Sequence, residues 1–373
     1  MKVLMTGGGT AGHINPAIAI ANTIKKNDPS SEIAFVGTER GLENKLVPKE
    51  NYPLYHVDVM GFERSLSIKN IKAAYLALVS PMRAKKLVRE FAPDIVIGTG
   101  GYACWPVLKA AASMGIPTAV HESNALPGLA IRKLQSCVDR IFVNFKQTEQ
   151  YISEKEKVMH VGNPLRCGFG GLEYEEARQK LGIKKDQTLI LSFGGSLGAH
   201  RINEVSLNFM CNYVKHEPSV IHYHATGGYD FKEFSEKFKE CGLEKCPNIR
   251  LVEYIHDMPV RMSAADVIIC RAGAMTISEL AMMKKACIMI PSPNVVDNHQ
   301  YKNAKVLADA NAVVMLEEAY MNDEIFEDSV VSLIKDKEKR KTLSENIAEF
   351  ANTDANKLIY DEVIRLIKKE DKV

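Results

Sequence analysis

One turn occurs twice in this 373-residue chain, and it narrows the fold more than any other feature. Near the start, the apolar run Val3-Leu4-Met5-Thr6 enters Gly7-Gly8-Gly9-Thr10-Ala11-Gly12-His13. In mid-chain, Leu189-Ile190-Leu191-Ser192-Phe193 enters Gly194-Gly195-Ser196-Leu197-Gly198-Ala199-His200. Each reads as a buried strand, glycines around a hydroxyl residue, then a helix. Glycine lets the backbone approach a ligand closely. A helix start adds unpaired N–H groups at the positive end of its dipole. Two such turns predict two similar α/β halves with a polar, phosphorylated ligand between them.

The rest of the chain fits that plan. Short apolar segments without alternation predict strands of a parallel sheet covered on both faces. In the first half these are Lys2–Thr6, Ile33–Val36, Asp94–Gly98, Pro117–His121, Arg140–Val143 and Val158–Val161. In the second they are Thr188–Phe193, Val220–Ala225, Ile249–Val252, Val267–Cys270, Ala286–Ile290 and Ala312–Met315. Helices are expected between them, at Pro16–Lys26, Arg201–Val214 and Asn298–Ala308 among others. Strand–helix alternation predicts doubly wound domains. Gly162-Asn163-Pro164 breaks any regular element. The expected divisions are therefore a domain over 1–162, a second over 163–345, and a helical tail over 346–373. Apolar residues at helical spacing in the tail require it to dock on something.

Composition removes several classes of function. A formal net charge of +2 gives no reason to expect nucleic acid. No apolar run is long enough to span a bilayer, and the N-terminus reads straight into a strand rather than a signal peptide. The eight cysteines form no Cys-x-x-Cys pair and read as small reduced residues of a cytoplasmic protein. There is no Asp-x-Asp after a strand and no Walker turn, so no metal-assisted phosphoryl transfer is expected, and no metal.

Several polar clusters follow strands, where open α/β sheets bind ligands. Gly7-x-Gly9-x-x-Gly12 matches the dinucleotide fingerprint, but no acid closes the second strand at Phe35-Val36-Gly37-Thr38. A third glycine cluster is Gly98-Thr99-Gly100-Gly101-Tyr102. His13 has the chemistry of a general base, and capping its helix is the competing reading. His121-Glu122-Ser123-Asn124 is read as facing a ligand, against a solvated loop. In Arg271–Glu279, Thr276 begins a helix with Glu279 in the first turn. That glutamate either complements the helix dipole or accepts a ribose diol. In Asp297-Asn298-His299-Gln300, Asn298 reads as a cap and Gln300 as a reader of sugar hydroxyls.

Ser67–Phe91 combines Tyr75, Leu76, Leu78, Val79 and Met82 with Lys69, Lys72, Arg83, Lys85, Lys86 and Arg89. Glu90 is its only acid. Pro81 is expected to interrupt the helix. An apolar patch rimmed by cations suits an anionic membrane surface, and a buried helix is the competing account.

Taken in order, Gly7–Ile18, Gly98–Tyr102, His121–Gly128, Gly162–Arg166, Phe193–Asn203, Arg271–Glu279 and Asn298–Ala304 resemble the MurG family of glycosyltransferases. These motifs span nearly the whole chain. It departs from the family at Ala11, where many members have glycine. At Ser123, Gln or Ser is usual. The resemblance implies a GT-B fold, two Rossmann-like domains facing a cleft, with the final helix crossing back to the first. It implies inverting transfer of N-acetylglucosamine from UDP-GlcNAc to the 4-hydroxyl of MurNAc in undecaprenyl-diphospho-MurNAc-pentapeptide (lipid I), giving lipid II for peptidoglycan. No cofactor is implied.

Roles follow residue by residue from the resemblance. His13 is the base, with Glu122 as assistant. The donor is held by Ile255 at the uracil, Glu279 at the ribose, and Ser196, Ala274, Met275 and Thr276 at the diphosphate. Gln300 reads the sugar. Arg166, Asn124 and Thr10, Ala11 and Gly12 complete that side. The acceptor diphosphate lies near Gly9, Gly100, Gly101 and Tyr102. Lys72, Tyr75, Leu76, Val79, Arg83 and Lys86 dock on the anionic inner face of the cell membrane, where cell-wall synthesis proteins are candidate partners. The rival readings are a UDP-GlcNAc 2-epimerase or another transferase with the same donor, and a non-catalytic nucleotide-sugar-binding adaptor.

Overall fold

Two parallel sheets carry the structure, each made from the continuous apolar runs of one half of the sequence. The computed structural model describes residues 1–59, 68–166 and 168–370. The chain divides into two units: Met1–Arg166 together with Asn352–Val373, and Cys167–Ala351.

The first sheet is formed by β1 (Lys2–Thr6), β2 (Glu32–Gly37), β3 (Leu54–His56), β4 (Ile95–Gly98), β5 (Thr118–Glu122), β6 (Arg140–Val143) and β7 (Val158–His160). All pairs are parallel, in the order β3-β2-β1-β4-β5-β6-β7. The order reverses direction between β1 and β4, where doubly wound sheets leave a crevice. Thr6 pairs with Gly98, so these two strands end level and release their glycine turns side by side.

One face of the sheet is covered by the helix Ala11–Asn27 and by the returning helix Ala355–Glu370. Ile14, Ile18, Ile359 and Val363 share a core with Val3, Met5 and Ile97. The helices Ile68–Phe91 and Cys104–Ala112 cover the other face, through Ala84, Val88, Val107 and Leu108. Glu362 ties the returning helix to β6, with Arg140 Nε at 2.5 Å and Arg365 Nη2 at 2.6 Å.

The second unit repeats the wiring. Its strands are β8 (Thr188–Phe193), β9 (Val220–Ala225), β10 (Ile249–Val252), β11 (Val267–Cys270), β12 (Cys287–Met289) and β13 (Val314–Met315), ordered β10-β9-β8-β11-β12-β13. The reversal falls between β8 and β11, again where a glycine turn leaves each strand.

Two expectations need correction. The first helix starts at Ala11, not Pro16, so Pro16 lies inside it and His13 in its first turn. The missing proline N–H deprives only the Gly12 carbonyl of a partner, which a helix otherwise held by buried Ile14, Ile18 and Ile20 tolerates. Pro81 does not interrupt its helix, which runs from Ile68 to Phe91. There, too, one lost bond is outweighed by a buried face. The short strand β3 was not anticipated.

Candidate active site

In the first unit the two glycine turns of β1 and β4 press against each other. Gly8 N–H donates to Gly100 O at 3.3 Å, and Thr99 Oγ donates to His13 O at 2.6 Å. Side chains are excluded from this contact: a β-carbon on Gly7 would lie 2.1 Å from Thr99 Oγ1, and one on Gly101 2.4 Å from Gly8 O. The His13 ring lies over Gly100, whose φ of +104° only glycine adopts easily. His13 Nδ1 donates to Gly8 O at 3.1 Å, with Thr10 Oγ1 farther off at 3.4 Å. A carbonyl only accepts, so Nδ1 carries the proton and Nε2 is the basic nitrogen of the neutral ring. Thr10 and Gly12 are exposed and Ala11 half-buried on the same turn, and Tyr102 is exposed after β4.

The Gly9 N–H is already engaged, donating to Glu43 Oε2 at 2.8 Å. Its expected place at an acceptor diphosphate therefore cannot rest on that N–H in this arrangement. Glu43 opens the helix Glu43–Lys49 and is fully buried. It was not singled out from the sequence. The signal was the spacing of Gly37, Gly41 and Glu43 just after β2.

The segment after β5 corrects another expectation. His121, Glu122 and Ser123 are buried rather than turned to a ligand, and only Asn124 is half-exposed. β5 extends to Glu122, and neighbouring backbone satisfies the polar groups. His121 Nε2 is 2.9 Å from Gly162 O, and burial pulls its pKa down to about 4. Glu122 Oε1 accepts the Asn124 N–H at 2.8 Å and its Nδ2 at 3.1 Å, while Oε2 accepts Gly128 N–H at 2.8 Å. Burial raises its pKa, against those donors. The geometry makes Glu122 the organiser of the Asn124–Gly128 loop.

In the second unit, Gly198 is pressed on the turn after β9, where a β-carbon would meet Thr226 O at 2.1 Å. Gly195 opposes nothing within 4 Å, and Ser196 beside it is exposed. The other side of the crevice is the start of the helix Ala274–Met282, after the extended Gly273. Ala274, Met275 and Thr276 form its first turn. Glu279 falls in the second turn, so the dipole account of this acid does not hold. Ile255 is buried in the turn after β10 and anchors that backbone. Gln300 Oε1 accepts Ser292 N–H at 2.9 Å. Asn298 does not cap its helix through its side chain; it is left-handed, φ +52°, directly after Asp297 at φ +54°. Arg166 is exposed at the end of the first unit's main segment.

Below this turn lies a buried chain of polar groups. Ser192 Oγ contacts His222 Nε2 at 2.7 Å and His224 Nδ1 at 2.6 Å, and His224 Nε2 reaches Asn203 Oδ1 at 3.1 Å. Burial lowers His224 to a pKa of about 3 and His222 well below its usual value. His200, which occupies the sequence position equivalent to His13, pairs instead with Asp230 at 3.3 Å.

Residues 3–143 match the glycosyltransferase family 28 N-terminal domain, and residues 189–359 match its C-terminal domain. The chain belongs to glycosyltransferase family 28. A family relative from Acetivibrio thermocellus is 42% identical over 369 residues, covering 99% of both chains. It bears the name UDP-N-acetylglucosamine--N-acetylmuramyl-(pentapeptide) pyrophosphoryl-undecaprenol N-acetylglucosamine transferase. The crystal structure of Acinetobacter baumannii MurG superposes with a TM-score of 0.78 at 25% identity, covering 98% of this chain and 99% of that one. The fold is GT-B. A UDP-GlcNAc 2-epimerase from Neisseria meningitidis shares that fold at 15% identity and a TM-score of 0.67, covering 98% of this chain and all of its own.

The surface predicted to meet a membrane is described in part. Lys72, Tyr75 and Leu76 belong to the helix Ile68–Phe91, and their side chains lie outside the described residues. Val79 is half-buried, and Arg83 and Lys86 are exposed. Arg83 pairs with Asp58, and Lys86 lies 3.9 Å from Glu90. Among the described residues, no helix is long and apolar enough to cross a membrane.

Proposed function

We propose that this family 28 enzyme transfers N-acetylglucosamine from UDP-GlcNAc to the 4-hydroxyl of MurNAc in undecaprenyl-diphospho-MurNAc-pentapeptide, with inversion, yielding lipid II. The observation that carries this reading is the full-length relationship to a relative named for that transfer. The epimerase likeness reaches only the shared fold.

The second unit takes the donor. Ser196 and the first turn of the helix Ala274–Met282 hold its diphosphate, using N–H groups that need no metal. Glu279 binds the ribose, Ile255 the uracil through its backbone, and Gln300 the sugar, with Asn124, Arg166 and Thr10–Gly12 contributing from the first unit. The first unit takes the acceptor near Gly100, Gly101 and Tyr102. His13 Nε2 removes the proton from the attacking hydroxyl as C1 of the sugar separates from UDP. Glu122 serves by holding the Asn124 loop. The basic helix face with Val79, Arg83 and Lys86 docks on the anionic cytoplasmic face of the bacterial cell membrane.

The test is incubation with labelled UDP-GlcNAc and a short-chain lipid I analogue. UDP release that depends on the acceptor, with a labelled disaccharide product, is expected. UDP release or sugar epimerisation without acceptor would overturn the reading.

A further inference from the structure

The peptide group between Gly8 and Gly9 is engaged at both ends. Its N–H donates to Glu43 Oε2 at 2.8 Å, and its carbonyl accepts from His13 Nδ1 at 3.1 Å. A buried carboxylate and an imidazole thus hold opposite ends of one amide.

The surroundings of Glu43 are built for a charge. Oε1 accepts both the N–H and the hydroxyl of Thr38, each at 2.8 Å. A β-carbon on Gly8, Gly37 or Gly41 would lie 2.6, 2.5 or 1.9 Å from a Glu43 side-chain atom. Three glycines therefore leave their side-chain volume to one carboxylate. Burial alone would push its pKa up, but the donors from Thr38 and Gly9 bring it below the usual range. It is ionised at neutral pH. Dinucleotide-binding domains turn an acid near this point of β2 toward a ribose. In this chain the acid is turned inward onto the first glycine turn.

We propose that Glu43 acts on His13 through the Gly8–Gly9 peptide, as a carboxylate–peptide–imidazole relay. The proposal rests on the reading of His13 as the base. An amide whose N–H is bonded to a carboxylate gains negative charge on its carbonyl oxygen, through the resonance that keeps it planar. The Gly8 carbonyl becomes a stronger acceptor for Nδ1–H. That bond fixes the tautomer with Nε2 unprotonated, and it stabilises the imidazolium that forms during transfer. In that step the acceptor oxygen bonds to C1 of the sugar and its proton passes to His13 Nε2. The C1–oxygen bond to UDP breaks, and the electron pair leaves with UDP. Glu43 keeps its charge throughout and touches neither substrate, so it is a positioning residue. In hydrolytic triads a carboxylate orients the histidine directly; here one amide stands between them.

Glu43→Gln keeps the size and one acceptor oxygen while removing the charge. Its kcat should fall roughly ten- to a hundredfold, the size of loss known for removing the outer hydrogen-bond partner of a metal-bound histidine. The KM for UDP-GlcNAc should be unchanged, and the His13 Nδ1 resonance in 15N-histidine spectra should move. Unchanged kcat in Glu43→Gln, with His13→Ala inactive, would overturn the relay alone. Full transfer by His13→Ala would overturn the base reading beneath it. If Glu43→Gln does not fold, the unsubstituted protein decides: its neutral His13 should be the Nδ1–H tautomer, and an Nε2–H tautomer overturns the proposal.

Discussion

Gly100 carries the ring of His13: a β-carbon there would lie 2.7 Å from His13 Cδ2 and 3.0 Å from Nε2. The residue that makes room for the histidine is on the turn of β4, 87 positions along the chain. Gly100→Ala should therefore displace the ring and strain a backbone at φ +104°. Transfer should fall at least tenfold, with a stability loss of about 1–2 kcal/mol from the strained backbone. Steady-state kinetics with a urea melt check this, and a fully active variant would mean that ring placement is not limiting.

His13→Ala should abolish most transfer, about 10²–10⁴-fold, while leaving UDP-GlcNAc binding largely intact. Calorimetric titration with donor and a parallel turnover assay separate the two effects. A non-catalytic adaptor would show no such separation.

Glu362 links β6 to the returning helix through Arg140 and Arg365. The hydrogen bond from Arg365 leads in holding its carboxyl below the usual value, and Arg140 adds to it. A carboxyl with a lowered folded pKa stabilises the protein above the unfolded value, about 4.3, and loses that contribution as pH falls through the folded one. Glu362→Gln should cost about 1–3 kcal/mol at neutral pH, since both arginines lose their anion. Its difference from the parent should shrink in acid. Urea unfolding at several pH values measures both, and a pH-independent difference would count against the ion pair.

The buried histidines also predict a loss of stability in acid, but in a higher pH window. His121 and His224 are held neutral, with pKa values near 4 and 3, chiefly because burial disfavours the charged form. Unfolded histidine takes up a proton near pH 6.5. Stability is therefore whole above that value and falls as pH drops toward the folded values. Each such residue removes about 1.4 kcal/mol per pH unit in that window. Unfolding at pH 7, 6 and 5 should show this decline. A flat profile would mean that these side chains charge without unfolding.

Reversing charge on this helix, at half-buried Lys85 and exposed Lys86 together (Lys85→Glu, Lys86→Glu), should weaken binding to anionic vesicles. About 1 kcal/mol per lysine is at stake, more at low salt. Sedimentation with phosphatidylglycerol vesicles at two salt concentrations tests it. Unchanged partitioning would reject membrane docking by this face.

Most strands were legible because continuous apolar runs bounded by glycine have few other uses. β3 escaped because Leu54-Tyr55-His56 lies at the sheet edge with two exposed residues, so it carries no apolar run. The turns were legible as ligand sites, but which of their N–H groups are already engaged was not. Gly9 and Glu43 are 34 residues apart, and only the packing of β1 beside β2 reveals their bond. The polarity of His121–Ser123 pointed outward, whereas backbone carbonyls and N–H groups around β5 and β7 could satisfy it inside. Glu279 and Pro16 were misplaced for a shared reason. Each helix begins directly on its small-residue turn, at Ala274 and Ala11, earlier than a cap-based reading sets it.

The helix Ala355–Glu370 belongs to the first unit but is synthesised after the whole of the second. A ribosome that has finished residue 166 has therefore released a sheet lacking part of one apolar cover. Ile359, Val363 and Leu366 are still to come. For the time needed to translate 185 residues, Cys167–Ala351, the Ile14 and Ile18 side of that sheet waits without its final partner. At about 5–20 residues per second, this nascent chain is exposed for roughly 10–40 seconds, and chaperones have that interval to guard it.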